Sequence, residues 1–159
     1  LTLGYTTGGF SISVTDYWFN GGPGYFHYGS HNTNHTFEAQ IGYDFGPLAL
    51  NWYTNFAGTD GVNNEGDRAY SSYISATVPF TLAGLEWTAE IGATPWSTDF
   101  YNYSEVPVCN GSNGFTVCDI SLGAAKEIKI TDSFSVPAFA KATVNPRTEG
   151  AYFVFGLSF

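Results

Sequence analysis

Methionine is absent, Lys and Arg together number five, and charged residues make up only 12% of the 159-residue chain. Five cations cannot build a basic stripe, so a nucleic-acid partner is excluded. Charge this sparse, in a chain that is 18% aromatic, also excludes intrinsic disorder, which needs few aromatics and high charge density. The sequence lacks the Ala, Glu, Lys and Leu bias of a helical bundle. No apolar run approaches the ~20 residues of a membrane-crossing helix, which leaves a closed barrel as the one other way to span a bilayer. The net charge is −9, from 14 acids against five bases, and size fits a single domain.

What the chain has is alternation. Nine segments carry apolar residues at every second position: 1–6, 10–19, 36–45, 48–56, 70–80, 85–93, 117–130, 134–144 and 151–159. Leu85, Trp87, Ala89 and Ile91 alternating with Glu86, Thr88 and Glu90 show the pattern. Short connections at 7–9, 46–47, 81–84 and 131–133 interleave with longer ones at 20–35, 57–69, 94–116 and 145–150, the layout of an outer-membrane barrel.

The polar face of these segments is Ser, Thr, Gly, Asn and Tyr with a few acids, rather than the Lys, Glu and Arg of a water-facing surface. The expected fold is therefore an all-β transmembrane antiparallel up-and-down β-barrel. Its apolar face meets the lipid of the outer membrane, and its polar face lines a lumen. Asp16 and Lys126 are the charges on the apolar face and are expected at the membrane interfaces, where their cost is small. Aromatics at segment ends (Tyr17, Trp18, Phe19, Tyr43, Phe45, Phe80, Trp96, Phe134, Phe159) read as interface girdles. A soluble sandwich that binds carbohydrate is the competing reading.

The last eight residues end in an aromatic, with Phe153, Phe155, Leu157 and Phe159 on one face. They resemble the signal by which the barrel-assembly machinery, an expected partner, recognises its substrates. With Phe159 periplasmic, nine strands place residue 1 on the extracellular side. Bacterial barrels normally have even strand number and periplasmic termini. The expectation is that residues 1–159 are the C-terminal part of a single barrel domain whose first strands are missing here.

The segments TDYWF (15–19), SHNTNHTFE (30–38), NWYTNFAG (51–58), RAYSSYI (68–74), TPW (94–96), KEIKITDSFSVP (126–137) and VNPRTEGAYFVFGLSF (144–159) together resemble the TorF-family porins. These are small outer-membrane barrels frequent in Bacteroidetes. The resemblance implies about twelve strands in the full-length protein; the function expected from the lumen residues is a narrow porin-like channel for passive passage of small solutes or ions.

The expected lumen-lining charges are the acids Glu38, Asp44, Glu86, Glu90, Asp119 and Glu127 and the bases Lys129 and Lys141, a bias that favours cations. Large inward residues (Tyr53, Tyr73, Phe139, Tyr152) argue for a narrow path. The alternative function is a non-conducting accessory barrel that binds a protein partner in the outer membrane through its loops.

Cys109 and Cys118 bracket a Gly/Asn/Ser loop, and a local disulfide is expected in an oxidising compartment. His27, His31 and His35 share the loop at 20–35 and form a weak metal candidate against the commoner reading of loop hydrogen bonding. Asp60, Asn63, Asn64, Glu65 and Asp67 offer oxygens for Ca²⁺ without the EF-hand spacing, and a solvated loop is the stronger reading. No nucleophile-elbow motif occurs, so no catalytic residues, no enzyme activity and no cofactor are expected.

Overall fold

A computed structural model describes residues 1–19, 22, 24–29, 32–101 and 114–158. His31, Cys109 and Phe159 lie outside the described residues. The described residues form nine strands: β1 (Thr2–Thr7), β2 (Phe10–Trp18), β3 (His35–Asp44), β4 (Ala49–Gly58), β5 (Ser72–Leu82), β6 (Leu85–Thr94), β7 (Thr116–Thr131), β8 (Phe134–Asn145) and β9 (Gly150–Leu157). They build one antiparallel sheet in which each strand pairs with its sequence neighbours, so the order is β1 to β9 without a crossover. Among the described residues no helix is long and apolar enough to cross a membrane.

Each of the nine alternating segments is a strand, with ends within about two residues of the expected positions. The expected closed barrel is not shown. The sheet is open: β1 pairs only with β2 and β9 only with β8, which leaves one free edge on each.

Pairing register aligns the alternation from strand to strand. One row runs Ile12, Ile41, Trp52, Ile74 and Ala93 across β2 to β6. Another runs Phe80, Trp87, Ala124, Ala140 and Phe155 across β5 to β9. These rows make one continuous apolar face, and its large side chains are open: Ile41 and Ile91 are 49% exposed and Phe155 is 77% exposed. The largest fully buried side chains among the described residues are polar instead, namely His35, Asn55, Thr36, Thr94, Thr98, Ser71 and Ser72. Among the described residues the buried hydrophobics are Ala69, Ala93, Cys118 and Val136. A water-soluble sandwich would bury the apolar face; this sheet has the reverse arrangement.

The turns set the two ends apart. In the β5–β6 hairpin the two loop residues, Ala83 and Gly84, both have positive φ (54° and 74°), the geometry that matches strand twist in a two-residue hairpin. This turn lies at the same end as those of β1–β2, β3–β4 and β7–β8 and the C-terminus of β9. The longer connections gather at the opposite end.

Glycines on the polar face make room for rings. A Cβ on Gly92 would collide with the Tyr73 side chain, and one on Gly156 would lie 2.7 Å from Phe139 Cζ. The two rings lie across bare backbone on neighbouring strands. Gly92→Ala is expected to displace Tyr73 and lower stability by about 1–3 kcal/mol. Urea unfolding, compared with the same change at Gly123, whose added Cβ would meet only ordinary contacts at 3.8 Å, measures it; equal losses at both positions would contradict the packing role.

Candidate functional site

The polar face of β2 to β6 holds the densest cluster of functional groups. Alternation puts Tyr17, Glu38, Tyr53, Tyr73 and Glu90 on this face, because each is flanked in sequence by residues of the apolar rows. Tyr101, from the connection between β6 and β7, reaches over the face to β3. Glu38 accepts hydrogen bonds from the Tyr17 hydroxyl at 3.2 Å and the Tyr101 hydroxyl at 3.3 Å, one on each carboxylate oxygen. The Tyr73 hydroxyl donates to Glu90 at 3.1 Å, and Lys141 lies 3.9 Å from the other Glu90 oxygen. The Tyr73 ring stands between those of Tyr53 (6.1 Å) and Tyr101 (5.7 Å). These groups border a cavity of about 310 Å³. Burial, and after it the Glu38 carboxylate, push the Tyr101 phenol above its ordinary range, so it remains a donor at neutral pH.

Below the cluster the face is a hydrogen-bonded mesh. Gln40 accepts from Ser13 at 3.2 Å and donates to Ser11 and Asn51 at 3.0 and 3.1 Å. Ser121 donates to Asp119 at 2.5 Å and lies 2.8 Å from the Thr143 hydroxyl. The expected lumen charges thus separate into groups. Glu38 and Glu90 join the tyrosines, Lys141 neutralises Glu90, and Asp119 is tied into the mesh. Asp44 accepts from Gly46 N at 2.7 Å and shapes the β3–β4 turn. Lys129 pairs with exposed Asp132 at 2.7 Å near the β7–β8 turn, while Glu86 and Glu127 are exposed near the short-turn end.

Two members of the cluster escaped the sequence reading. Tyr17 belongs to the polar face and not to a girdle, because its parity is that of Ser11 and Ser13. Tyr101 lies outside any strand, so no periodicity could have signalled it.

A second constellation sits at the long-connection end of the apolar face. His35 was expected in the loop at 20–35, yet it is the first residue of β3, paired with Trp18. It is fully buried, with Tyr28 stacked on it at 4.2 Å and Tyr25 and Phe37 at 5.1 and 6.0 Å. Its Nδ1 lies 2.6 Å from an Asp16 carboxylate oxygen, and its Nε2 lies 2.5 Å from the Tyr25 carbonyl oxygen. Both partners are acceptors, so both ring nitrogens donate and the ring is cationic against Asp16. This pairing accounts for a carboxylate on the apolar face: Asp16 is neutralised at the rim. Both ring nitrogens of His35 are therefore engaged, the hydrogen-bonding role; among the described residues, which do not include His31, no group of three His, Cys, Asp or Glu could hold a metal.

The expected disulfide is not seen either. Cys118 belongs to β7, is buried, and carries a free thiol. The Asp60 loop is built on internal bonds. Asp60 accepts from Gly61 N at 2.8 Å and Ser71 N at 3.1 Å and faces Arg68 at 3.6 Å, while Asn63 Oδ1 accepts from Glu65 N and Asp67 N at 3.0 and 2.9 Å. These oxygens shape the loop.

His35→Phe keeps the aromatic stack but strands the Asp16 carboxylate. The expected loss is about 3–5 kcal/mol, the usual cost of breaking a buried pair. Reversible urea unfolding measures it, with His27→Phe as the near-neutral control.

No family model, no curated protein and no solved structure matches this chain.

Proposed function

We propose that this chain forms the wall of an outer-membrane β-barrel whose polar face lines a narrow path for small solutes or ions, with preference for cations. The observation that carries the reading is the inverted polarity of the sheet. An apolar face of open Ile, Leu, Trp and Phe runs across nine strands, while the largest fully buried side chains among the described residues are His, Asn, Thr and Ser. A soluble monomer rarely exposes an apolar patch beyond a few hundred Å². Lipid is the solvent that such a face suits. Strands of 8 to 12 residues in β2 to β6, β8 and β9 fit a tilted crossing. The outer face of β3 to β7 carries a groove of about 520 Å³ lined by such residues as Ile41, Leu50, Trp52 and Ile91, suited to acyl chains.

In a bilayer the free edges of β1 and β9 would leave backbone groups without partners, so closure by further strands is part of the proposal. The resemblance to TorF-family porins rests on the motif segments alone and would supply those strands. The apolar row Phe153, Phe155 and Leu157 on β9 fits recognition by the barrel-assembly machinery.

The cation preference rests on the acid excess of the polar face, where Lys141 is committed to Glu90 and Lys129 to Asp132. One observation favours the second reading, a non-conducting accessory barrel that binds a protein partner. Tyr73 and Phe139 lie flat over glycine backbone, and Tyr101 spans the face to Glu38, which narrows any lumen.

Planar-bilayer recording decides between them. The channel reading expects small, cation-selective conductance, with selectivity reduced in Glu86→Gln/Glu90→Gln. Absence of conductance in the folded wild type rejects the channel and leaves the accessory barrel. The lipid contact has its own test: Ile91→Arg, in the middle of the apolar face, is expected to lower stability in vesicles by about 2–4 kcal/mol. No loss there would overturn the membrane reading.

A further inference from the structure

The cluster on the polar face has the chemistry of a binding site as well as a constriction. We propose that the cavity between Glu38 and Tyr73 binds a compact organic cation, of the quaternary ammonium or guanidinium class. The inference rests on the polar face being the lumen and names the solute class recognised there.

Charge comes first. The cavity borders carry two carboxylates, Glu38 and Glu90. Glu90 has a cationic partner in Lys141 at 3.9 Å, whereas Glu38 has no ion-pair partner among the described residues. Glu38 is half-buried and receives one tyrosine hydroxyl on each oxygen, which fixes its orientation while leaving its charge uncompensated. A fixed, unneutralised carboxylate beside a cavity attracts a cation.

Rings decide which kind. Tyr53, Tyr73 and Tyr101 stand in series with centroids 6.1 and 5.7 Å apart, and Tyr17 closes the Glu38 side. Ring faces attract cations through the π quadrupole, and a cage of several aromatics is the known device for ammonium groups. An alkali or alkaline-earth ion fits poorly, because Ca²⁺ takes six to eight oxygens and Mg²⁺ needs near-octahedral geometry. Here the carboxylate oxygens are already shared with hydroxyl donors that would face a metal with their protons. A neutral sugar could stack on the rings but would leave the Glu38 charge unanswered. The cavity, about 310 Å³, is at the small end of ligand sites, which suits a headgroup-sized molecule.

Choline chloride is the probe. Isothermal titration of the full-length protein in detergent is expected to show saturable choline binding, with no comparable heat from sodium chloride or glucose. Glu38→Gln retains an acceptor for one tyrosine and is expected to weaken binding by about tenfold or more. Tyr73→Leu removes the central ring and is expected to weaken it about threefold or more. Glu65→Gln, exposed and not among the residues lining the cavity, is expected to leave it unchanged, and circular dichroism checks that each variant is folded.

Unchanged choline affinity in folded Glu38→Gln, or no binding to the folded wild type, overturns the site. Equal binding of sodium overturns the assignment to an organic cation. The bilayer recordings stand apart from this result. A protein that conducts without binding choline keeps the channel and loses the site. One that binds choline without conducting keeps the site and loses the channel.

Discussion

The pairing register is the constraint on which the rest of this sheet depends. Side chains alternate with a period of two, so a slip of one residue in any strand would exchange its faces. A slip of β5 against β4 would take Ile74 from beside Trp52 and place Tyr73 there. The cluster around Glu38 would lose its central ring, and a phenol would enter the apolar row. Register therefore fixes both the apolar face and the location of the functional groups. Irregularities fall away from the middle of the sheet: Phe37/Glu38 and Gly92/Ala93 near the long connections, and Lys129/Thr131 at the short-turn end.

With few hydrophobic side chains buried among the described residues, cohesion comes mainly from the ladder and from polar side chains. At the long-connection end the loops are knitted by such bonds. Thr36 and Thr59 link β3 to the loop after β4, Ser71 bonds Thr98 at 2.6 Å, and Trp96 donates to the Ala69 carbonyl at 2.8 Å. Each neutral bond contributes about 1 kcal/mol net, and more is lost if a buried partner is left alone. The Asp16–His35 pair follows the same rule at higher stakes, since each ion is stable at its place only because the other is there.

How much of this was legible in the sequence follows from the range of each interaction. Strand positions were readable because alternation is local, and the face assignment of Glu38, Glu90 and Lys141 followed from parity alone. The inverted polarity was also readable, since Ser, Thr and Tyr are poor choices for a face that meets bulk water. Parity alone would have placed Tyr17 correctly, but its position at a strand end beside Trp18 and Phe19 drew it into the girdle pattern. His35 was hidden because its partner is 19 residues away and the Asn-rich stretch before it has no period. Tyr101 was hidden more deeply: its contact with Glu38 spans 63 residues and depends on how a long connection folds back over the sheet. The disulfide expectation failed where a local spacing was read as a loop, while Cys118 is held in β7 by the sheet.

The distribution of charge along the polar face bears on how a lumen lined by it would discriminate. Glu86, Glu127 and Lys129 are exposed near the short-turn end, where water screens them and Asp132 shares Lys129. Glu38 is half-buried under Tyr17 and Tyr101, where screening is weaker and a unit charge acts more strongly on a solute in contact. A count of acids against bases over the whole face therefore gives the sign of the preference but not where it would act most strongly. In a lumen so lined the exposed charges would set a diffuse bias, whereas the tyrosine-bound carboxylate would act at one level of the path, beside rings that respond to the shape of a cation as well as its charge. Selectivity of that kind would depend on contact and would sort cations by whether they can lose water against an aromatic face.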